Sequence, residues 1–301
     1  MYQPPYFSTE VRELQPLSRE SGIFPPIPDI VVWNENTALF RLDRINFWDY
    51  ISHIYLRFDS DIEKASELVE KVSLLVYTSL HNLHELFTIP GEIIDAHTRQ
   101  KVSHPLRIWK IPLFQWKSTD GFDHGGFKLP YSYHKFCQHI LIAVKMKSSD
   151  KIARLRSLTL TEETFENYEE KPWKDRLLKT YETYKIRSEE SIDLLGNYYI
   201  AIFSFVRGPG KLSALHLEFE GGKYRTTVTA GRIFIDMFDH PGFKIPKDYT
   251  CFRIPRQYQR NSVFIELTKI TPEIENGDDS TEITICLEKL QEWDARTAAV
   301  Y

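Results

Sequence analysis

Apolar and polar residues alternate with a period of two along much of this chain. In residues 50–58, Ile54, Leu56 and Phe58 share one side while Tyr55 and Arg57 share the other, the mark of a strand with one buried face. Leu215-His216-Leu217-Glu218-Phe219 repeats the pattern and runs into a Gly221-Gly222 turn. Residues 233–237, 263–267 and 283–287 keep the same rhythm, and residues 37–42, 71–80 and 198–203 read as further strands. Residues 83–94 carry a Pro90-Gly91 turn, and residues 61–70 read as a short helical turn. Short strands divided by Gly, Pro and Asp clusters, with few long amphipathic helices, predict an all-β chain built of β-sandwiches.

Two stretches depart from this rhythm. The first 29 residues hold Pro4, Pro5, Pro16, Pro25, Pro26 and Pro28. Proline lacks the donor that ladders and helices need, so residues 1–29 are expected to form an extended arm. Residues 158–185 are rich in Glu, Lys and Tyr and are interrupted by Pro172. Thr161-Glu162-Glu163-Thr164 places a capping residue before acidic ones, which predicts a helix start. The expected organisation is an arm over 1–29, a first sandwich over 30–150, a connecting segment with some helix over 151–195 and a second sandwich over 196–301.

Composition changes this picture in three ways. Aromatic residues reach 14% and suit pleated, half-buried surfaces, which strengthens the β reading. A net charge of −4, with no run of Lys or Arg, argues against gripping a phosphate backbone over a broad surface. No sequence-specific nucleic-acid binding is therefore expected, and Arg253, Arg256 and Arg260 form only a local basic group. Cys137, Cys251 and Cys286 lie far apart without a CxxC pair, which excludes a zinc ribbon and a dithiol redox motif. They fall in or beside apolar strands and read as buried free thiols suited to a reducing compartment. No apolar run approaches the roughly 18 residues of a membrane span, and the N-terminus has no signal-peptide core.

Side chains capable of chemistry do not assemble into a motif. His81, His84 and Glu85 follow the order H-x-x-H-E instead of the helical H-E-x-x-H. In a strand, positions three apart face opposite ways, so the two imidazoles would diverge. Asp95, His97 and His104 follow without ligand spacing. Asp123, His124, His134 and His139 flank a Gly-rich turn, with no serine or cysteine elbow beside them. Gly208-Pro209-Gly210-Lys211-Leu212-Ser213 fails as a phosphate loop, because Phe205 occupies the first glycine position and Leu212 follows the lysine. A β-turn is expected there instead. No catalytic, cofactor-binding or metal-binding residue is assigned, and no cofactor is expected.

Residues 109–147 resemble one region of the major capsid proteins of large eukaryotic double-stranded DNA viruses and their polinton and virophage relatives. The family's aromatic PLPFWF-like segment has its likeness in Ile111-Pro112-Leu113-Phe114-Gln115-Trp116, and its LPL step in Lys128-Leu129-Pro130. Its LQYHEVxI-type strand is similar to Tyr133-His134-Lys135 running to Ile140. Residues 40–56 resemble the entry to the family's first barrel, with Trp48-Asp49 standing where relatives carry Gly-Asp. Ile202-Phe203-Ser204-Phe205 with Gly210-Lys211-Leu212 resembles the opening of its second barrel, and residues 246–252 a later P-x-x-I-Y-x-Y-S-F element. The P-S-G-T-x-N-x-S signature has no counterpart at residues 257–262.

The resemblance implies two tandem jelly rolls joined by short helical connections, and a structural protein that is not an enzyme. It implies a major capsid subunit that forms a homotrimer, a pseudo-hexameric capsomer tiling an icosahedral shell in a virion assembled inside the host cell. Its implied partners are neighbouring capsomers, minor capsid proteins, and an internal membrane or core layer. Two alternatives stay open. One is a minor jelly-roll protein, either a vertex (penton) subunit or an assembly scaffold. The other is a two-jelly-roll glycan-processing enzyme, for which Glu218 and Asp236 are the candidate cleft acids.

Overall fold

The computed structural model describes residues 7–14, 36–41, 49–58, 64–78, 83–99, 108–111, 115–117, 123–125, 137–165, 177–187, 190–194, 199–229, 250–254, 259–260, 263–264 and 266–292. The chain divides into two compact units, Met1–Lys179 with Gln291–Tyr301, and Thr180–Leu290.

In chain order the first unit carries β1 (Phe7–Leu14), β2 (Thr37–Arg41), β3 (Asp49–Phe58), α1 (Ala65–Leu68), β4 (Val69–Thr78), β5 (Leu83–Pro90), α2 (Gly91–Arg99), β6 (Ile108–Ile111), β7 (Gln115–Lys117), β8 (Asp123–Gly125), β9 (Cys137–Met146) and β10 (Leu155–Phe165). Eight of these strands make two sheets, ordered β1-β10-β3-β6 and β2-β9-β4-β5. Every pairing is antiparallel. Strands β7 and β8 pair only with each other, as a ribbon between β6 and β9 in sequence. Numbered one to eight along the chain, the sheet strands run 1-8-3-6 and 2-7-4-5.

The second unit repeats that order. It carries β11 (Leu177–Arg187), β12 (Ile192–Asp193), β13 (Tyr199–Arg207), β14 (Lys211–Phe219), β15 (Tyr224–Thr229), β16 (Thr250–Arg253), β17 (Gln259–Arg260), β18 (Val263–Phe264), β19 (Leu267–Glu275) and β20 (Glu282–Glu292). Its sheets are β11-β20-β13-β16 and β12-β19-β14-β15, again 1-8-3-6 and 2-7-4-5. A ribbon, β17 with β18, again separates the sixth sheet strand from the seventh. This strand order defines a jelly roll. The chain is all-β, two jelly rolls in tandem with short helical connections.

Burial follows the strand patterns. In β14, Leu215, Leu217 and Phe219 are buried while His216 is exposed, as period-two alternation requires. In β4 the residues Val72, Ser73, Leu74, Leu75 and Val76 are buried without a break, so both sides of that strand are covered. The hairpin between β14 and β15 turns on Glu220, Gly221 and Gly222, all with positive φ, a conformation that glycine reaches without steric cost. Gly91 opens α2 where a Cβ would stand 2.4 Å from the Val69 carbonyl oxygen, so only glycine fits.

Several elements differ from the sequence reading. The expected arm contains β1, which pairs along its length with β10. Its prolines bracket the strand, and none falls between Phe7 and Leu14, so every donor in that stretch is intact. The expected connecting segment holds β10 and β11, and Thr161–Thr164 lies within β10 instead of starting a helix. There β10 is held between β1 and β3, and ladder pairing on both edges outweighs the local capping signal. Downstream of Pro90 the chain enters α2 instead of turning, with Ile93, Ile94 and Ala96 buried. The strand expected at residues 233–237 lies outside the described residues, as do Leu113, Phe114, Lys128-Leu129-Pro130 and Tyr133.

Candidate functional site

The structure disperses the residues that carry chemistry. His84 and Glu85 lie on β5, opposite Val76 and Leu75. The Glu85 carboxylate is occupied: Ser73 Oγ and, at 3.0 Å, Lys71 Nζ both donate to Oε1. Burial pushes this carboxyl upward, but donation from Ser73, Thr88 and Lys71 outweighs it and holds Glu85 below the usual carboxylate range. Asp95 belongs to α2 and accepts the backbone N–H groups of Ala65 at 2.6 Å and Ser66 at 3.1 Å, satisfying two orphan donors at the start of α1. His97 is in α2, His124 in β8 opposite Trp116, and His139 in β9 opposite Tyr77. His81, His104, His134, Asp236 and Arg256 lie outside the described residues. Among the described residues no three His, Cys, Asp or Glu side chains come together as a metal site. Cys251 and Cys286 are buried free thiols on β16 and β20.

Two polar clusters in the second jelly roll went unseen in the sequence. In the first, Glu182 on β11 accepts from three strands. Tyr199 Oη donates to Oε2 at 2.5 Å, Tyr184 Oη donates to the same oxygen at 3.1 Å, and Lys289 Nζ donates to Oε1. Burial raises the Glu182 carboxyl, and the donations from Lys289, Tyr199 and Tyr184 more than reverse that, so it sits below the usual range. A carboxylate held ionised by three donors ties β11 to β20 and β13, and its lone pairs are committed. In the second cluster, Tyr181 Oη donates to Glu288 Oε2 at 2.7 Å inside the protein. Burial, then the charge of Glu288, pushes the phenol well above its ordinary value, so it stays a donor. The only sequence signal for either was the alternation in Tyr181-Glu182-Thr183-Tyr184, since the partners lie 17 and 107 residues away.

Beside the end of β11 and the β19–β20 turn lies an open groove of about 350 Å³, lined chiefly by charged side chains of both signs, including Lys185, Arg187, Glu190, Asp279 and Glu282. Small-molecule sites are mostly apolar and enclosed, which this groove is not. In that turn Asp278 Oδ1 accepts from the Ser280 N–H at 2.9 Å and from its hydroxyl at 2.5 Å. These bonds from Ser280, with help from Thr281, hold the Asp278 carboxyl below its ordinary value.

The outer face of β12-β19-β14-β15 carries charged and polar rows. One row crosses all four strands as Arg225, Glu218, Lys269 and Asp193, residues that the ladder places opposite one another. Arg225 Nε lies 3.2 Å from Glu218 Oε1, and Lys269 Nζ lies 3.9 Å from Asp193 Oδ1. In the next rows His216 meets Thr227 Oγ1 at 2.9 Å and Glu273 Oε2 at 3.1 Å. Glu218 thus serves a cross-strand ion pair with Arg225, and among the described residues it joins no cluster of three His, Cys, Asp or Glu. Such an arrangement positions a surface and has no reacting centre.

No protein-family model matches the chain, and no curated protein sequence is similar to it. Its fold does match solved structures. The major capsid protein P2 from bacteriophage PM2 superposes with a TM-score of 0.56 at 12% identity, covering 95% of this chain and 98% of that one. PBCV-1 VP54, a structure fitted into a reconstruction of the virophage Sputnik, superposes with a TM-score of 0.55 at 10% identity, covering 96% of this chain and 95% of that one. N-glycanase F reaches a TM-score of only 0.22 at 7% identity and carries no argument. The chain therefore has the fold of P2 and VP54 across nearly its whole length.

Proposed function

We propose that this chain is a major capsid subunit, a structural protein of the virion, and that three copies form a trimer whose six jelly rolls fill sixfold positions of an icosahedral shell. The observation that carries this reading is the repeated eight-strand order, matched over 95% of this chain and 98% of a major capsid protein. A threefold object built from six similar barrels presents nearly equal sides to six neighbours, and closed symmetry sums modest contacts into a stable shell. The best-built polar groups support a structural role as well. The Glu182, Glu85 and Asp95 carboxylates are each engaged by donors that hold neighbouring elements together. The partners in this reading are further copies of the chain, minor capsid proteins, and an inner membrane or core layer. The buried thiols Cys251 and Cys286 suit assembly in a reducing compartment.

Light scattering and negative-stain microscopy of the purified chain test the proposal. A three-chain mass with a nearly hexagonal outline is expected. A pentamer would reassign the chain to the vertex of the shell. A monomer with a glycan-cleaving activity that is lost in Asp236→Asn would overturn the capsid reading.

A further inference from the structure

The turn between β19 and β20 carries the only Asn-Gly pair in the sequence, Asn276-Gly277. Both residues are exposed, and Asn276 has a φ of 55°, in the left-handed region. The two halves of the turn differ. The second half is closed by hydrogen bonds: the Asp278 N–H donates to Thr281 Oγ1 at 3.0 Å, the Thr281 N–H to the Asp278 carbonyl at 2.9 Å, and the Ser280 N–H to Asp278 Oδ1 at 2.9 Å. In the first half, neither the Asn276 carboxamide nor the Gly277 N–H makes a hydrogen bond among the described residues. Asn36, the other asparagine among those residues, is the opposite case. Its Nδ2 donates to the Met146 carbonyl at 2.9 Å, its own carbonyl accepts from the Met146 N–H at 2.8 Å, and the β-branched Thr37 follows it.

We propose that Asn276 is a self-modification site, at which the backbone nitrogen of Gly277 attacks the Asn276 carboxamide and converts residue 276 to aspartate or isoaspartate. In the first step the Gly277 N–H gives its proton to hydroxide, and a bond forms from that nitrogen to Asn276 Cγ. The Cγ–Nδ2 bond breaks, ammonia leaves, and a five-membered succinimide remains. In the second step one water opens the ring. Breaking the new bond to Cγ leaves an ordinary aspartate. Breaking the original peptide bond leaves isoaspartate, whose backbone runs through the side chain and is longer by one methylene. Water is the sole co-reactant. Glycine suits the attack because no Cβ shields its nitrogen, and an exposed bend without hydrogen bonds reaches the ring geometry at little cost. The two products differ in effect. Aspartate adds one negative charge beside Glu275, Asp278 and Asp279, in a chain whose net charge is −4. Isoaspartate also disturbs packing, since the β13–β14 turn approaches so closely that a Cβ on Gly210 would stand 2.9 Å from Gly277 Cα. An added backbone atom must therefore part the two turns. Neither product depends on the capsid reading.

The test follows the purified full chain through warm incubation at mildly alkaline pH. Peptide mapping by mass spectrometry reads the amide, and methyl transfer from S-adenosylmethionine by an isoaspartyl methyltransferase labels the rearranged product. Residue 276 should lose its amide, the label should fall on the same peptide, and Asn36 should keep its amide. Asn276→Gln should leave that peptide unlabelled, because a six-membered ring closes more slowly. Since the open turn gives little protection, residue 276 should convert in the folded chain within about a factor of ten of its rate in urea. An amide that survives in the folded chain and is lost in urea overturns the proposal, and so does a label that persists in Asn276→Gln. If Asn276→Gln fails to fold, the folded and urea rates of wild type decide alone. The isoaspartyl form, isolated by ion exchange, should melt below freshly prepared Asn276→Asp, whose backbone is not extended. Equal melting overturns the parting of the two turns.

Discussion

The two sheets of the second jelly roll share one sandwich and solve opposite problems. In β12-β19-β14-β15, inward Leu215, Leu217, Ile270 and Val228 alternate with outward charges, so one side faces the core and the other water. In β11-β20-β13-β16, the central strands β20 and β13 are buried on both sides over Ile283 to Glu288 and Ala201 to Phe205, and buried polar groups such as Tyr181 and Glu288 have partners there. Ser204 is the exception, a buried hydroxyl on β13 without a hydrogen-bond partner. A sheet with one wet side tolerates change on that side, whereas a sheet with two dry sides has no tolerant position at its centre.

Substitutions can break or sharpen this contrast. The largest effect is expected from placing a charge in a doubly covered strand. Ile285→Asp in β20, and Ile142→Asp in β9 of the first unit, should each cost about 3–5 kcal/mol or abolish the cooperative melt, since an unpaired carboxylate would be buried. A melting temperature within a degree or so of wild type would show that one of those sides is open. Next in size is Tyr181→Phe, which removes one donor from buried Glu288 and should cost about 1–3 kcal/mol in urea unfolding. Ser204→Ala is its mirror image. Removing a hydroxyl with no partner should be neutral or stabilising by up to about 1 kcal/mol, and a clear loss of stability would mean that the hydroxyl is satisfied in solution.

Glu182 gives a pH signature. Its carboxyl is depressed in the folded protein, so its contribution is fully present above the ordinary carboxylate value of 4.5 and is lost as pH falls through the lowered folded value. Glu182→Gln should flatten that part of the acid-unfolding curve and leave the slope near neutrality unchanged. An acid limb identical to wild type would remove the cluster from the account. The smallest effect belongs to the open face, where Arg225→Ala or Glu218→Ala should shift monomer stability by less than about 1 kcal/mol. A larger loss would mean that this face is less solvated than its burial pattern indicates.

The same contrast explains what was legible in the sequence. One-sided strands announce themselves, because each residue's polarity reports its side. Leu215 to Phe219 and Ile54 to Phe58 were readable for that reason. In β13 the strand was visible as an apolar run, which does not say that a second side is covered, and in β20 the alternation read at 283–287 predicted one buried side where residues 283–288 are buried without a break. Strand β10 was illegible because Leu158-Thr159-Leu160-Thr161-Glu162-Glu163 gives a mixed signal, and its partners come from residues 7–14 and 49–58. The Glu182 cluster was hidden for the same cause, with Lys289 lying 107 residues downstream. Helix α2 was missed because Pro90-Gly91 has the chemistry of a turn. Here Gly91 is required by close approach to Val69, and proline sits just before the helix, where its missing donor costs nothing.

The paired ribbons β7–β8 and β17–β18 occupy the same connection in both jelly rolls, and each belongs to neither sheet of its sandwich. Lengthening such a ribbon disturbs no sheet register, and each doubling of a flexible loop costs only about 0.6 kcal/mol in closure entropy. The chain thus carries two interchangeable ports where sequence can be added, one per barrel. Evolution can add sequence there, and an engineer can graft a segment there, without renegotiating the architecture beneath.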